Sequence, residues 1–321
     1  PFPSGFALGS ALALFFFLFD LPWGFYETFR VENRFGFNRS PLSLFLRDSL
    51  LQAVLSFGFS GVLAGSASFL LGLPRGLAWA LGGLAVFDLL LATLFPNLVL
   101  PLFYRLRLLP EGDLMDKLES LFGRTGFPAS ALFVADGSRR STHGNAFFMG
   151  LGRLRRVVLF DTLVDRFPVN EAAAVVAHEI GHWKKRHVPA GLLLMFAFQS
   201  SFVLFAFLSW HAGALSGSFG LPPGPAPFIV MAFLAWSAAA GLVIQPALSS
   251  GSRRREFEAD RFAAENEGSC AMIGALTRLA ADSLAWTPSD SWFSAWYATH
   301  PSVADRILAL AEREPPTSPA G

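Results

Sequence analysis

The sequence is poor in charged residues and in cysteine. Only 15% of its 321 residues are charged, whereas a soluble domain usually has about 25%. The net charge of +1 gives no sign of nucleic-acid binding, so we expect no nucleic-acid partner. The single cysteine, Cys270, excludes a disulfide within the chain, and we expect it to be a small packing residue.

Apolar residues replace the missing charge. They make up 53% of the chain, with 35 phenylalanines and a mean hydropathy of +0.45. Five apolar runs are candidates for membrane-crossing helices, and the first is shorter than the others. They cover residues 6–23, 49–73, 77–103, 188–210 and 226–248. We therefore predict a mainly α, multi-pass membrane protein. Because the chain begins at Pro1 rather than Met, we expect that an N-terminal portion is missing.

Polarity divides the chain into four segments. We predict membrane spans in 1–103, a soluble-type segment in 104–187, a membrane hairpin in 188–248 and a soluble or interfacial segment in 249–321.

The segment 104–187 mixes helical and strand patterns. An amphipathic helical stripe is formed by Leu114, Leu118, Leu121 and Phe122. Residues 131–135 and 156–160 are rich in apolar and β-branched side chains and predict short strands. This part of the chain should therefore be a small α+β domain.

Arginines mark alternate loops between the apolar runs. The first loop contains Arg30, Arg34, Arg39 and Arg47, and the last run is followed by Arg253, Arg254 and Arg255. Only Arg75 lies in the second loop. Because positive residues favour the cytoplasmic side, we predict that the segments 104–187 and 249–321 face the cytoplasm.

The run His178-Glu179-Ile180-Gly181-His182 carries the strongest chemical signal. Helical residues four apart share a face, so His178 and His182 can point imidazole nitrogens at one metal ion. Glu179 lies about 100° away around the helix, beside the open coordination position, where it could take a proton from water. The pattern is typical of a zinc peptidase and predicts one Zn²⁺ per chain.

The neighbouring residues predict the bounds of this helix. Asn170 can cap its N-terminus, and Pro189 should stop it. His187 would then lie at the helix C-terminus, and we predict no role for it in the site.

A catalytic zinc ion usually has three protein ligands, so a third must come from elsewhere. Glu256 and Asp260 lie four apart on a predicted helix, so one can bind the metal while the other holds a histidine's second nitrogen. We assign Glu256 to zinc and Asp260 to that supporting role, whereas Glu258 should face solvent. The alternative from the residues alone is a solvated, salt-bridged helix beside the arginines at 253–255.

Asp88 lies in the middle of the run 77–103. A charge there costs at least ~2.5 kcal/mol unless it meets water or a partner. Two explanations stay open: the wall of a water-filled chamber, or a hydrogen bond to a neighbouring helix.

Six stretches together resemble the type I CAAX prenyl endopeptidases, a family of integral-membrane zinc metalloproteases. They are residues 35–38, 141–148, 157–163, 178–183, 256–260 and 300–301, in family order and over nearly the whole chain. The resemblance implies a helical barrel around a chamber, with a zincin-like α+β catalytic domain. It also implies a bacterial inner membrane or the endoplasmic reticulum as the location.

The resemblance implies roles that the residues alone leave open. Glu256 matches the family's third zinc ligand, and His300 matches a histidine that steadies the tetrahedral oxyanion. Asn145 and Ala146 match an edge strand against which the substrate lies extended. Without the resemblance, 145–149 would be an ordinary core strand and His300 a helix cap or loop residue.

The chain departs from this family in three respects. Gly144 stands where a serine is usual, and Asp305-Arg306 stands where a Glu-Arg pair is usual. The family has seven membrane helices, whereas only five apolar runs are found here. We expect the difference to reflect a missing N-terminal helix and one more polar helix within 260–300.

The sequence therefore predicts a membrane zinc endopeptidase that acts on a peptide or protein substrate, with C-terminal CAAX processing of prenylated or membrane-associated peptides as its activity. The alternative is a non-catalytic membrane protein with a structural zinc site, in which His300 is the fourth ligand, or with a lipid-binding chamber. A quality-control protease of the related heat-shock type is a third interpretation, but such chains lack the signatures at 35–38 and 143–148.

Overall fold

The computed structural model describes residues 1–128, 131–149, 156–212, 225–284 and 290–312. The chain forms two compact units. The first, called the membrane unit below, contains Pro1–Phe95 and Gly191–Leu242. The second, called the site unit, contains Pro96–Ala190 and Val243–Gly321.

Helices dominate both units. The α-helices are α1 (Phe2–Tyr26), α2 (Leu42–Leu71), α3 (Gly76–Leu98), α4 (Leu100–Phe103), α5 (Asp113–Thr125), α6 (Asp161–Arg166), α7 (Val169–Lys184), α8 (His187–His211), α9 (Pro225–Val243), α10 (Gln245–Glu267), α11 (Ser269–Ser283), α12 (Ser291–Tyr297) and α13 (Val303–Ala311). The strands are β1 (Leu106–Leu108), β2 (Ala131–Ala135), β3 (Ala146–Met149) and β4 (Arg156–Phe160). A π-helical turn, Glu27–Glu32, extends α1, and a 3-10 turn, Gly137–Arg139, follows β2.

The long apolar helices confirm the multi-pass membrane prediction. Among the described residues, the helices long and apolar enough to cross a membrane are Phe2–Glu32, Leu42–Leu71, Gly76–Leu94 and His187–His211. Four of the predicted runs fall within these helices or run past their C-terminal ends. The fifth, 226–248, forms most of α9 and the start of α10.

Small residues let α1 and α2 approach closely. A Cβ atom at Gly9 would lie 2.5 Å from the carbonyl oxygen of Ser60 and 2.6 Å from Cβ of Ala64. Helices gain no hydrophobic driving force from association inside a bilayer, so van der Waals contact between close backbones stabilises such a pair. An apolar cavity of about 390 Å³ also lies within the membrane unit, with Phe16 and Leu84 among its lining residues.

Asp88 forms a polar contact between two membrane helices. It lies on α3 and is 7% exposed. With its amide nitrogen turned toward Asp88, Gln199 on α8 donates to both carboxylate oxygens, at 2.7 and 3.2 Å. Of the two explanations for this residue, the structure supports the hydrogen bond to a neighbouring helix.

The site unit is built around a small mixed sheet in the order β1-β2-β4-β3. β2 and β4 pair in parallel, and β1 and β3 flank them antiparallel. The strands predicted at 131–135 and 156–160 are confirmed with those bounds. Fully buried Leu118 and Leu121 of α5 share one core with Val157 and Leu159 of β4, as the amphipathic stripe predicted.

Helix α7 carries the 178–182 run through this core. Its segment 172–177, all alanine and valine, is buried. Both predicted bounds of the helix are wrong. Pro168, with an extended backbone, is the N-cap instead of Asn170, and the helix ends at Lys184. Pro189 lies in the first turn of the next helix. Proline is tolerated there because the backbone N–H groups of a first turn have no hydrogen-bond partner within the helix.

The prediction of a further, more polar membrane helix within 260–300 is wrong for the described part of that range. Helix α10 ends at Glu267, and α11 buries Met272 and Leu276 in the core of the site unit. Helix α12 has only 7 residues. The prediction for Cys270 is also wrong, because this side chain is exposed at the start of α11.

Candidate metal centre

The two histidines of the 178–182 run face one another at the surface of α7. Their Nε2 atoms are 3.1 Å apart. The side chain of His178 is 9% exposed and that of His182 is 19% exposed. Because the preceding turns of α7 are buried, the helix cannot rotate without moving alanines and valines out of the core. The two imidazoles are therefore held as a fixed pair.

Glu256 on α10 completes a group of three potential metal ligands. Its Oε1 lies 3.3 Å from Nε2 of His182, and its Oε2 lies 3.6 Å from Nε2 of His178. Two atoms that bind a tetrahedral zinc ion at about 2.0–2.1 Å lie about 3.3 Å apart. One oxygen of Glu256 faces each imidazole, and the three residues offer ligand atoms that all lie within 4.8 Å of one another. Since Glu256 is only 6% exposed, the solvated-helix alternative does not hold for it.

A glycine sets the distance between α7 and α10. A Cβ atom at Gly181 would lie 3.0 Å from Cα and 3.2 Å from the carbonyl oxygen of Ala259. The backbones of the two helices are therefore in contact one turn from Glu256. This contact brings the carboxylate of one helix across from the imidazoles of the other.

Asp260 holds the second nitrogen of His178. Nδ1 of His178 lies 2.8 Å from Oδ1 of Asp260. Arg306 on α13 donates to both oxygens of this carboxylate, from Nε at 2.7 Å and from Nη2 at 2.6 Å. Asp260 is 2% exposed, and although burial raises its pKa, the hydrogen bonds from Arg306 and His178 lower it further. The contact is the one expected for a residue that supports a histidine ligand.

His182 also has a partner for its second nitrogen. Nδ1 of His182 lies 2.9 Å from Nδ1 of His187, and Nε2 of His187 lies 3.1 Å from Oε2 of Glu258. The predictions for both partners are wrong: His187 begins α8 instead of ending α7, and Glu258 contacts His187 instead of facing solvent alone. His187 follows the 178–182 run closely in the sequence, and Glu258 lies between Glu256 and Asp260. This closeness was the only hint of their roles in the sequence, because helical spacing does not predict that the two side chains meet.

Burial and neighbouring charge give the two site glutamates different basicity. Burial raises the pKa of Glu179, and the nearby His178 and His182 only partly oppose this. Burial also acts on Glu256, but hydrogen bonds from the imidazoles of His178, His182 and His300 hold its pKa far below the usual range. Glu256 therefore remains ionised and available as a metal ligand, while Glu179 is the better proton acceptor.

The two carboxylates also act on His178. Burial lowers the pKa of His178, but hydrogen bonds to Asp260 and Glu256 outweigh burial and raise that pKa to about 9. A metal ion has to displace this proton from the imidazole before it can bind.

His300 lies beside the ligand group. Its Nδ1 is 3.1 Å from Oε2 of Glu256, and its side chain is 66% exposed. The hydrogen bond to Glu256 raises the pKa of His300 more than burial lowers it. The structure therefore brings His300 to the site, next to the carboxylate and open on its other side.

Asn145 and Ala146 lie where the sheet ends. Ala146 begins β3, which is an edge strand of the described sheet and packs beside α7. The carbonyl of Asn145 accepts a hydrogen bond of 2.9 Å from the backbone N–H of Phe160 on β4. Asn145 is exposed and Ala146 is buried. The edge could accept a further extended chain.

The two residue-level departures from the family pattern, at Gly144 and at Asp305, each have a local explanation. A Cβ atom at Gly144 would lie 3.1 Å from the ring of Phe167, so a serine would press against that ring. Asp305 accepts a 2.7 Å hydrogen bond from the hydroxyl of Ser302, which caps α13. Arg306 reaches Asp260 without help from the carboxylate of Asp305.

Comparison with known proteins now gives the family. Residues 108–314 match the model of peptidase family M48, and residues 2–105 match the model described as CAAX prenyl protease N-terminal, five membrane helices. The chain belongs to peptidase family M48.

Individual members of the family are similar over most of the chain. A CAAX prenyl protease 1 homolog of Oryza sativa is 32% identical over 92% of this chain and 70% of its own length. A probable CAAX prenyl protease 1 of Schizosaccharomyces pombe is 34% identical over 93% of this chain and 64% of its own length. The crystal structure of S. mikatae Ste24p superposes with a TM-score of 0.82 at 30% identity, covering 94% of this chain and 74% of Ste24p.

Membership in peptidase family M48 fits the geometry. The family consists of metalloproteases, so a bound metal and a peptide or protein substrate are implied. Among the described residues, His178, His182 and Glu256 form the group of side chains that can hold a metal ion. The match to an N-terminal family of membrane helices agrees with the apolar helices of the membrane unit.

The contact at Gly181 predicts a strong effect of side-chain size. Gly181→Val should lower the free energy of unfolding by about 1–3 kcal/mol, because the new methyl groups overlap the backbone of α10. Gly251→Val is the matched control on α10, since no atom lies within 4 Å of the added Cβ. The control should be neutral or up to about 1 kcal/mol more stable. Unfolding of both variants in detergent tests this, and equal stability would contradict it.

Proposed function

We propose that this chain is a membrane-embedded zinc endopeptidase that processes the C-termini of prenylated, CAAX-type or other membrane-associated peptides. The observation that carries the proposal is the group of His178, His182 and Glu256, whose potential ligand atoms all lie within 4.8 Å of one another, with the buried carboxylate of Glu179 close enough to interact with all three. Two imidazoles and one carboxylate are a common ligand set of catalytic zinc in peptidases, which leaves a fourth position for water or substrate.

The proposed chemistry divides between the metal and the protein. When bound, zinc would polarise the scissile carbonyl and lower the pKa of water. Glu179, whose pKa is raised by burial, accepts a proton from the attacking water at its carboxylate. The water oxygen forms the new bond to the carbonyl carbon. Glu179 then returns the proton to the amide nitrogen, and the C–N bond breaks to release the amine.

Two further parts of the site are proposed to act on the substrate. His300 would donate a hydrogen bond to the oxyanion of the tetrahedral intermediate, and the 3.1 Å separation of its Nδ1 from Oε2 of Glu256 supports this role. Residues Asn145 and Ala146 would pair with the extended substrate as a new strand at the edge of the sheet. Such pairing uses backbone groups and tolerates many side chains.

The substrate class and the orientation rest on different observations. CAAX processing is proposed because the similar proteins are named as CAAX prenyl proteases. A cytoplasmic site is proposed because the arginine-rich loops should lie on the cytoplasmic side of the membrane, and the order of the predicted spans puts the site on the same side as these loops. The bacterial inner membrane and the endoplasmic reticulum are the two membranes in which such a protein would reside.

A structural metal site is the second candidate. His300 lies close enough to Glu256 to serve as a fourth protein ligand, which would close the coordination sphere. The apolar cavity of about 390 Å³ in the membrane unit would then suit a bound lipid. The two functions differ in whether the bound metal supports hydrolysis.

Glu179→Gln separates chemistry from metal binding. The amide keeps the size of the side chain but cannot accept a proton, so kcat/KM for a fluorogenic peptide should fall by roughly 10²–10⁴. Bound zinc, measured by elemental analysis, should stay at one per chain. Glu265→Gln, an exposed residue of α10, is the control with the same change of charge. Full activity of the Glu179 variant would exclude the proposed mechanism.

A pair of peptides tests the substrate class. The two share one sequence and differ only in whether the cysteine carries a farnesyl group. Each buried CH₂ contributes about 0.8 kcal/mol, so burying even part of the lipid should raise kcat/KM on the order of tenfold or more. Equal rates for the two peptides would exclude recognition of the prenyl group. They would not contradict the proposal that the chain is a zinc peptidase.

A further inference from the structure

We propose that His187 and Glu258 are positioning residues that hold His182 in the one tautomer able to bind the metal. This inference deepens the proposed function, because it rests on His182 as a zinc ligand. The two residues form a hydrogen-bonded chain outward from His182, which we call the Glu258 relay: Glu258, His187 and His182.

The contacts of the relay are short, and the histidine at its centre is largely buried. Nδ1 of His182 and Nδ1 of His187 are 2.9 Å apart, and Nε2 of His187 is 3.1 Å from Oε2 of Glu258. The side chain of His187 is only 9% exposed. Oε1 of Glu258 pairs with Arg254 at 3.4 Å, which leaves Oε2 for the imidazole. Each ring nitrogen of His187 thus has one partner.

The carboxylate of Glu258, at the outer end of the relay, determines which nitrogen of each histidine carries a proton. A carboxylate only accepts hydrogen bonds, so Nε2 of His187 carries a proton and donates it to Glu258. In a neutral His187, Nδ1 then has a lone pair and accepts from Nδ1–H of His182. The Nε2 atom of His182 is consequently unprotonated, and it faces Glu256 and His178. A lone pair at this atom is what metal binding requires.

The opposite arrangement would block the site. If Nδ1 of His187 were the donor, Nδ1 of His182 would have to accept and its proton would move to Nε2. That proton would occupy the position of the metal bond. The carboxylate of Glu258 therefore selects the binding-competent tautomer two hydrogen bonds away, as Asp260 does directly for His178.

A strained turn delivers His187 to this position. Arg186, between α7 and α8, has φ of 59°, in the left-handed region that non-glycine residues rarely adopt. Its backbone N–H bonds to the carbonyl of Trp183 at 2.9 Å, which tightens the end of α7. The turn brings the first residue of α8 back against His182, only five positions after it. Strain of this kind persists where the surrounding contacts require it.

Zinc affinity of the metal-free, full-length protein in detergent tests the relay through competition with a chromophoric chelator. His187→Phe keeps the ring but removes both nitrogens, and it should weaken Zn²⁺ binding about 10–100-fold. His187→Asn keeps an acceptor near the position of Nδ1 and should recover part of that loss. Glu258→Ala should weaken binding on its own, whereas Glu265→Ala, an exposed residue of the same helix, should not.

The double variant shows whether Glu258 acts through His187. In the relay, Glu258→Ala adds little to His187→Phe, because the chain of hydrogen bonds is already broken. Additive losses, or an affinity of His187→Phe within about twofold of the wild type, would overturn the relay. Equal losses for His187→Phe and His187→Asn would also overturn it, since an acceptor near the position of Nδ1 would then make no difference to metal binding. If the wild-type protein itself shows no Zn²⁺ binding that His182→Ala abolishes, the proposed metal site fails first.

Discussion

The site depends on the backbone contact between α7 and α10 at Gly181 and Ala259. Each helix alone carries an incomplete ligand set: two imidazoles on α7 and one carboxylate on α10. The contact brings these ligand atoms within 4.8 Å of one another, close enough for one metal ion to bind all three residues. Residues of α5, β4 and α11 share one hydrophobic core with α7 and α10, and this packing holds the two helices together.

Buried charge is the cost of such a centre, and the surrounding residues offset it. Glu256 and Asp260 are nearly inaccessible to water, where an unpaired carboxylate would be strongly disfavoured. Arg306 neutralises Asp260 through two hydrogen bonds and lies 3.6 Å from Glu256. The metal supplies the remaining positive charge when it binds. It would take the place of the proton on His178, whose pKa the neighbouring carboxylates raise to about 9.

The sequence predicts what local patterns determine and misses what tertiary contacts determine. The strands at 131–135 and 156–160 and the ligand pair four residues apart on a helix follow from periodicity, and the structure has them. The bounds of α7 do not follow, because a strained turn at Arg186 ends it before Pro189. Glu258 lies about 200° around the helix from Glu256, so its helical position suggested solvent. The return of the chain into α8 gives it His187 as a second partner besides Arg254.

X-ray absorption at the zinc edge, on the full chain loaded with one equivalent of zinc, tests the central claim most directly. Two imidazoles should bind with nitrogen atoms at about 2.0–2.1 Å, together with oxygen ligands from Glu256 and water and without sulfur. A third imidazole would mean that His300 closes the site and would contradict a catalytic centre. A spectrum that does not change after Glu256→Ala would contradict the claim that the contact between α7 and α10 forms the site.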